Sequence, residues 1–193
     1  MEAIVTIFPR LDQLPNARLQ WMITCLPERN QEGPLPRFRE LNQMFQVLDA
    51  TGQRVCLFKR FRADKEISAR KEAAVYLLDH PEDGPRSQSQ TLSGFCGHAP
   101  TVFVRFRSEG QNIIGILIEF VEAFQGPFDV NRVPIEELHK VCLVDLRFAV
   151  TDRQRQNVLT RLDDNGVLRY VPIYHGYSFF DQAPRFTILG LAW

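Results

Sequence analysis

No run of apolar residues in this chain approaches the ~18–20 that a membrane-spanning helix requires, so the sequence predicts no transmembrane segment. An excess of either charge is missing too: 23 Lys and Arg balance 23 Asp and Glu, which gives no global field to attract nucleic acid or an anionic surface. The four cysteines, Cys25, Cys56, Cys96 and Cys142, lie far apart, without a C-x-x-C pair or a partnering histidine at metal-ligand spacing. They read as reduced, buried, structural thiols, which suits a cytoplasmic protein. The opening MEAIVTIFPRLDQ has an acidic second residue and an apolar run too short for a signal peptide. Repeats and low-complexity tracts are absent. What the 193 residues do have is a 45% apolar content, enough for a sizeable core and against disorder.

Residues 1–43 carry Pro15, Pro27, Pro34 and Pro36, and ERNQEGPLPR reads as exposed loop, so this stretch is assigned little regular structure. From Met44, MFQVLDATGQRVCLFKRF holds two β-rich runs around an Asp-Ala-Thr-Gly turn, a hairpin with Lys59 near the end of its second strand. ADKEISARKEAAVYLLDH then spaces Ala69, Ala73, Ala74, Leu77 and Leu78 as one buried helical face, with Asp64 as its cap and HPEDGP as its stop. Val102, Val104 and Phe106 alternate with Phe103, Arg105 and Arg107 in a strand, and NIIGILIEFV supplies a more continuously buried one.

VPIEELHKVCLVDL predicts a second helix, with Pro134 at its first turn, Glu136 and Glu137 complementing the dipole, and Ile135, Leu138, Cys142 and Leu146 as its apolar stripe. After the polar loop VTDRQRQN come VLTRL, the turn Asp164-Asn165-Gly166 and VLRYVPI, a hairpin marked by its Asn-Gly pair. The chain closes on the apolar FDQAPRFTILGLAW.

Three constellations bear on chemistry. A strand lysine, Lys59, followed by a helical Glu72 is the pairing that positions ATP phosphates in kinases; equally, it is a snorkelling lysine and a solvated glutamate. Asp152 and Asn157, five apart in a loop, offer a carboxylate for a hydroxyl proton and an amide oxygen for Mg²⁺, or ordinary turn chemistry. In PIYHG, Tyr174 precedes a glycine where kinases place an aspartate-x-glycine that grips the metal; the plainer reading is a core aromatic on a strand. A tyrosine is neutral near pH 7 and does not replace a carboxylate around a hard cation.

Taken in order, VCLFKRF, ARKEAAVYLLDHP, GHAPTVFVRF, GILIEFVEAF, FDVNRVPIEELHKVCLVDLRFAVTDRQRQN and VPIYHGY resemble the phosphatidylinositol 3-/4-kinase superfamily, most closely its type II phosphatidylinositol 4-kinases, the plant-type ubiquitin-like-fused relatives included. The resemblance covers about residues 44–193. It implies an α+β, bilobal, protein/lipid-kinase-like fold with a reduced C-lobe: residues 1–43 a partly irregular N-terminal extension, 44–121 the N-lobe and hinge, and 122–193 a partial C-lobe. It implies Lys59 at the ATP phosphates with Glu72 as partner, Glu119, Phe120 and Val121 as the hinge whose backbone meets adenine, Asp152 as the catalytic aspartate and Asn157 as a metal ligand.

The departures from the family pattern fall on the same site. Gln154 stands where the D-R-H-x-x-N loop has histidine, and Tyr174 where D-H-G has its aspartate. FRELNQMFQ, near residues 38–46, has no glycine where the family has a Gly/Ser-rich turn over the phosphates. Asp163 and Asp164 lie at the wrong end of the hairpin to substitute, and Asp181 lies past the site. The resemblance thus implies a phosphotransferase using ATP with Mg²⁺ or Mn²⁺ on a phosphoinositide or protein hydroxyl, its activity impaired. The alternative is a pseudokinase, a non-catalytic module for protein interaction or weak nucleotide binding. Lys59-Arg60-Arg62 and Arg105-Arg107 are either peripheral membrane contacts or solvated surface.

Overall fold

The computed structural model describes residues 6–8, 17–25, 43–49, 51–79, 95–108, 111–124 and 132–179. Strands β1 (Thr6–Phe8), β2 (Gln43–Leu48), β3 (Arg54–Phe61), β4 (Thr101–Ser108) and β5 (Gln111–Glu119) form one antiparallel sheet in the order β1-β4-β5-β3-β2. Helix α1 (Ala17–Thr24) lies between β1 and β2 in the chain, and α2 (Glu66–Asp79) between β3 and β4. Helix α3 (Ile135–Phe148) and the hairpin β6 (Val158–Leu162) and β7 (Leu168–Pro172) complete the described elements. This is an α+β, kinase-like arrangement.

The β2–β3 hairpin forms as expected because Asp49 builds its turn: one carboxylate oxygen accepts the Thr51 and Gln53 N–H groups, each at 2.9 Å. Side chains then alternate across the sheet. Val102, Val104 and Leu117 join Leu19 and Met22 of α1 in one cluster, while Phe103, Ile114, Ile116 and Phe61 join Ala69 and Ala73 of α2 in another. Both faces of the central strands are therefore covered, and Val102, Phe103 and Val104 are all buried where simple alternation would expose one.

Four expectations are corrected. Residues 1–43 were expected to hold little regular structure, yet β1 pairs with β4 in register Ile7↔Val104, and α1 buries Leu19, Met22 and Ile23 at i, i+3, i+4. ERNQEGPLPR lies outside the described residues, as do HPEDGP and the whole of the C-terminal FDQAPRFTILGLAW. Asp64 does not cap α2: it sits in a 3-10 turn, Ala63–Lys65, and accepts from Arg62 at 3.1 Å. The face of α2 is Ala69, Glu72, Ala73, Val75, Tyr76 and Asp79, whereas Leu78 is exposed.

The stripe on α3 also differs. Glu137, Val141, Val144 and Phe148 are buried, and Ile135 and Leu146 face outward. Glu137 decides the rotation, because its carboxylate takes the Arg169 guanidinium at 3.1 Å and the Tyr170 N–H at 3.3 Å, fastening α3 to β7. Ala149, in the left-handed region at φ 51, ends the helix, and the Val150 N–H returns to Asp145 at 2.9 Å. The second hairpin is present, closed by Asp163, whose side chain accepts the Asn165 and Val167 N–H groups at 2.9 Å.

Candidate functional site

Lys59 lies on β3 between Met44 of β2 and Ile116 of β5, with its side chain on the α2 face of the sheet. There its Nζ meets Glu72 Oε1 at 2.6 Å, the two side chains being only 3% and 5% exposed. Neither the snorkelling lysine nor the solvated glutamate survives this geometry. Burial pushes the Glu72 carboxyl above its ordinary range against the pull of Lys59, and the Asp152 charge pushes the same way. The pairing also removes Lys59 from the basic cluster expected with Arg60 and Arg62, and Arg105 is engaged by Glu66.

Asp152 follows α3 in the loop before β6. Burial is the main cause raising its carboxyl above the usual range, with Arg153 and Lys59 acting in the opposite sense. Its Oδ1 is buried without a hydrogen-bond partner among the described residues, the kind of atom that a bound hydroxyl would satisfy. Asn157 Nδ2 donates to the Asp152 carbonyl at 2.9 Å, which fixes the amide across the loop. Gln154, at the position of the family's histidine, accepts from the Gln156 side chain at 2.8 Å.

Arg153 sets the shape of this loop, and sequence reasoning passed over it. Its guanidinium forks onto Asp145 of α3 at 3.0 and 2.9 Å, then reaches the carbonyls of Asn157 at 2.8 Å and Ile173 at 2.9 Å and the ring of His175 at 3.1 Å. Helix, loop and the exit of β7 are thereby held by one side chain. The signal was available as an arginine between the two candidate site residues; its reach of 20 and 22 residues along the chain was not.

Tyr174 is not a core aromatic on a strand. It follows β7 in the left-handed region at φ 61, where a side chain with a Cβ is uncommon. Its ring lies 4.3 Å from Lys59 Nζ, with Phe61 on the ammonium as well at 4.9 Å. Its hydroxyl reaches Met44 Sδ at 3.8 Å. Burial and the Glu72 charge hold the phenol above its ordinary pKa, so it stays neutral. Two residues on, a Cβ at Gly176 would come within 3.3 Å of Glu72 Oε1, so glycine lets this turn close on α2.

Lys59, Glu72, Asp152 and Tyr174 are thus brought together, with Asn157 braced behind Asp152. Of the three residues expected as a hinge, Glu119 ends β5, and Phe120 and Val121 follow it. The Glu119 and Phe120 N–H groups are engaged by the Pro100 carbonyl at 2.8 Å and the Val55 carbonyl at 3.1 Å, and Val121 is the residue whose amide those two bonds leave. Of the stretch expected to cover phosphates, 38–42 lies outside the described residues and 43–46 is strand β2. A triphosphate suits the lysine. A hard divalent cation does not suit position 174, because Mg²⁺ in a nucleotide site is held by one or two carboxylates beside water and phosphate oxygens, and a neutral phenol supplies no carboxylate.

A buried lysine–glutamate pair joining a strand to a helix, above a loop with an aspartate and an asparagine five apart, defines a kinase-like domain. The family described as Phosphatidylinositol 3- and 4-kinase matches residues 40–189, and the chain belongs to it. It is similar to Phosphatidylinositol 4-kinase gamma 2 of Arabidopsis thaliana, 34% identical over 140 residues, and to Phosphatidylinositol 4-kinase gamma 4 of the same plant, 35% over 134. The rice Phosphatidylinositol 4-kinase gamma 4 is 34% identical over 129 residues. Each match takes in 65% of this chain but only 26%, 24% and 22% of the relative, so the chain spans about a quarter of the length of the proteins it resembles.

Proposed function

We propose that this chain is a phosphatidylinositol 3-/4-kinase-like phosphotransferase domain that binds ATP at Lys59 and passes its γ-phosphate, at an impaired rate, to a phosphoinositide or protein hydroxyl. The observation that carries the reading is the buried Lys59–Glu72 pair at 2.6 Å, which holds a cation on the sheet face that Asp152 also approaches. In it, Lys59 neutralises phosphate charge, Asp152 accepts the hydroxyl proton, Asn157 offers its amide oxygen, and the backbone of Glu119, Phe120 and Val121 meets the base. ATP with Mg²⁺ or Mn²⁺ supplies the phosphoryl group and neutralises its charge when bound. Four cysteines that form no disulfide fit a cytoplasmic setting, from which the site reaches a membrane peripherally.

The second reading is a pseudokinase, favoured by one observation: the Tyr174 ring lies on the Lys59 ammonium, in the space phosphates would take, and brings no carboxylate for a metal. Both readings are tested by a thermal-shift titration of the chain with ATP, with and without Mg²⁺. A rise in Tm that needs little Mg²⁺ and disappears in Lys59→Met is expected. No rise at millimolar ATP in either condition would overturn nucleotide binding, and with it the phosphotransferase reading.

A further inference from the structure

At the C-terminal end of α2, three donors of different chemistry meet. Asp79, Cys96 and His98 are 1%, 1% and 2% exposed, and their ligand atoms all lie within 4.8 Å of one another. Cys96 Sγ is 2.9 Å from His98 Nδ1, His98 Nδ1 is 3.1 Å from Asp79 Oδ2, and Cys96 Sγ is 3.5 Å from the same oxygen. Gly97 makes the convergence feasible. It sits at φ 86, and a Cβ there would meet the Tyr170 carbonyl at 2.5 Å, so only glycine turns Cys96 and His98 toward one carboxylate this close to β7.

A tetrahedral zinc ion with bonds of ~2.3 Å to sulfur and ~2.0–2.1 Å to nitrogen or oxygen separates its donors by roughly 3.3–3.6 Å. The trio needs to widen by at most about 0.7 Å, which three side-chain rotations supply. A second observation points the same way. His175, 5% exposed, stands edge-on to the His98 ring with centroids 4.2 Å apart, and its Nε2 has no hydrogen-bond partner among the described residues. A buried nitrogen without a partner next to the cluster is the kind of polar atom that a bound ion or its water ligand would satisfy. The cation facing the cluster, Arg153, is neutralised by its fork onto Asp145.

We propose that Asp79, Cys96 and His98 form a three-residue site for zinc, whose fourth position a water molecule completes. Sulfur and imidazole select zinc over Mg²⁺ or Ca²⁺, which take oxygen. On binding, the Cys96 thiol gives its proton to solvent and the thiolate takes the metal, so affinity weakens as the solution is acidified. The ion would tie the end of the helix that carries Glu72 to the loop entering β4, whose His98 ring already meets His175 of the turn that carries Tyr174.

The test uses the full chain, stripped with chelator and titrated first with zinc chloride and then with cobalt chloride as a spectroscopic substitute. Expected are a single equivalent of metal, a raised Tm, and a near-ultraviolet thiolate-to-cobalt charge-transfer band. Cys96→Ser should abolish the band and weaken zinc binding by more than the ~10–100-fold typical of an outer-shell residue, while Cys142→Ser behaves as wild type. Absence of the band in the wild-type chain, a result independent of whether any variant folds, would overturn the site, as would an unchanged band in Cys96→Ser.

Discussion

Lys59 shows how much a single buried charge demands. An ammonium inside a sheet costs several kcal/mol of lost hydration, and Glu72 offsets this only because it is equally buried and 2.6 Å away. Glu72→Ala should therefore destabilise the chain by about 3–5 kcal/mol in urea unfolding, whereas the double change Lys59→Met with Glu72→Leu should cost much less, since it removes both charges. Equal losses would mean that the pair is not the buried unit described. Tyr174 stores a different cost: φ 61 for an aromatic residue is worth of order 1–3 kcal/mol, and such outliers gather where function constrains the chain. Both side chains were legible as candidates. Their contact was not, because nothing in the sequence brings residues 59 and 174 together.

At the scale of elements, patterns that depend on one segment alone were readable, and patterns that depend on a neighbour were not. The β2–β3 and β6–β7 hairpins carry their own turn chemistry in Asp49 and Asp163. Helix α3 offers two apolar stripes at helical spacing, and only the grip of Arg169 and the Tyr170 N–H on Glu137 selects between them; the sequence assigns Glu137 to the helix dipole. Helix α1 was hidden between Pro15 and Pro27, although Leu19, Met22 and Ile23 had the spacing. The chosen face of α3 is checked by mutation. Phe148→Ala, which also loses the ring of Phe179 at 5.5 Å, should cost about 3–5 kcal/mol, and Leu146→Ala within about 0.5 kcal/mol of nothing. The reverse order of losses would restore the outward stripe to the core.

For the whole molecule, the order of the parts carried more than any part. Lys59 with Glu72, and Asp152 with Asn157, were each ambiguous alone, and in order with the segments around them they resembled the family to which the chain belongs. No helix among the described residues is long and apolar enough to cross a membrane. The cluster of Asp79, Cys96 and His98 escaped the sequence reading, which found no histidine partner for any cysteine. Cys96 has one two residues away, but its third member is 17 residues back along the chain. In the proposed reaction Tyr174 would lower the rate, because a lost metal carboxylate costs several kcal/mol and each ~1.4 kcal/mol is tenfold. The most direct measurement is therefore transfer of labelled γ-phosphate from ATP to phosphatidylinositol with Mg²⁺ or Mn²⁺, run on the wild-type chain, Asp152→Ala and Tyr174→Asp. Slow turnover that vanishes in Asp152→Ala and rises at least about tenfold in Tyr174→Asp is predicted. Turnover undiminished in Asp152→Ala, or none in all three proteins, would contradict the account.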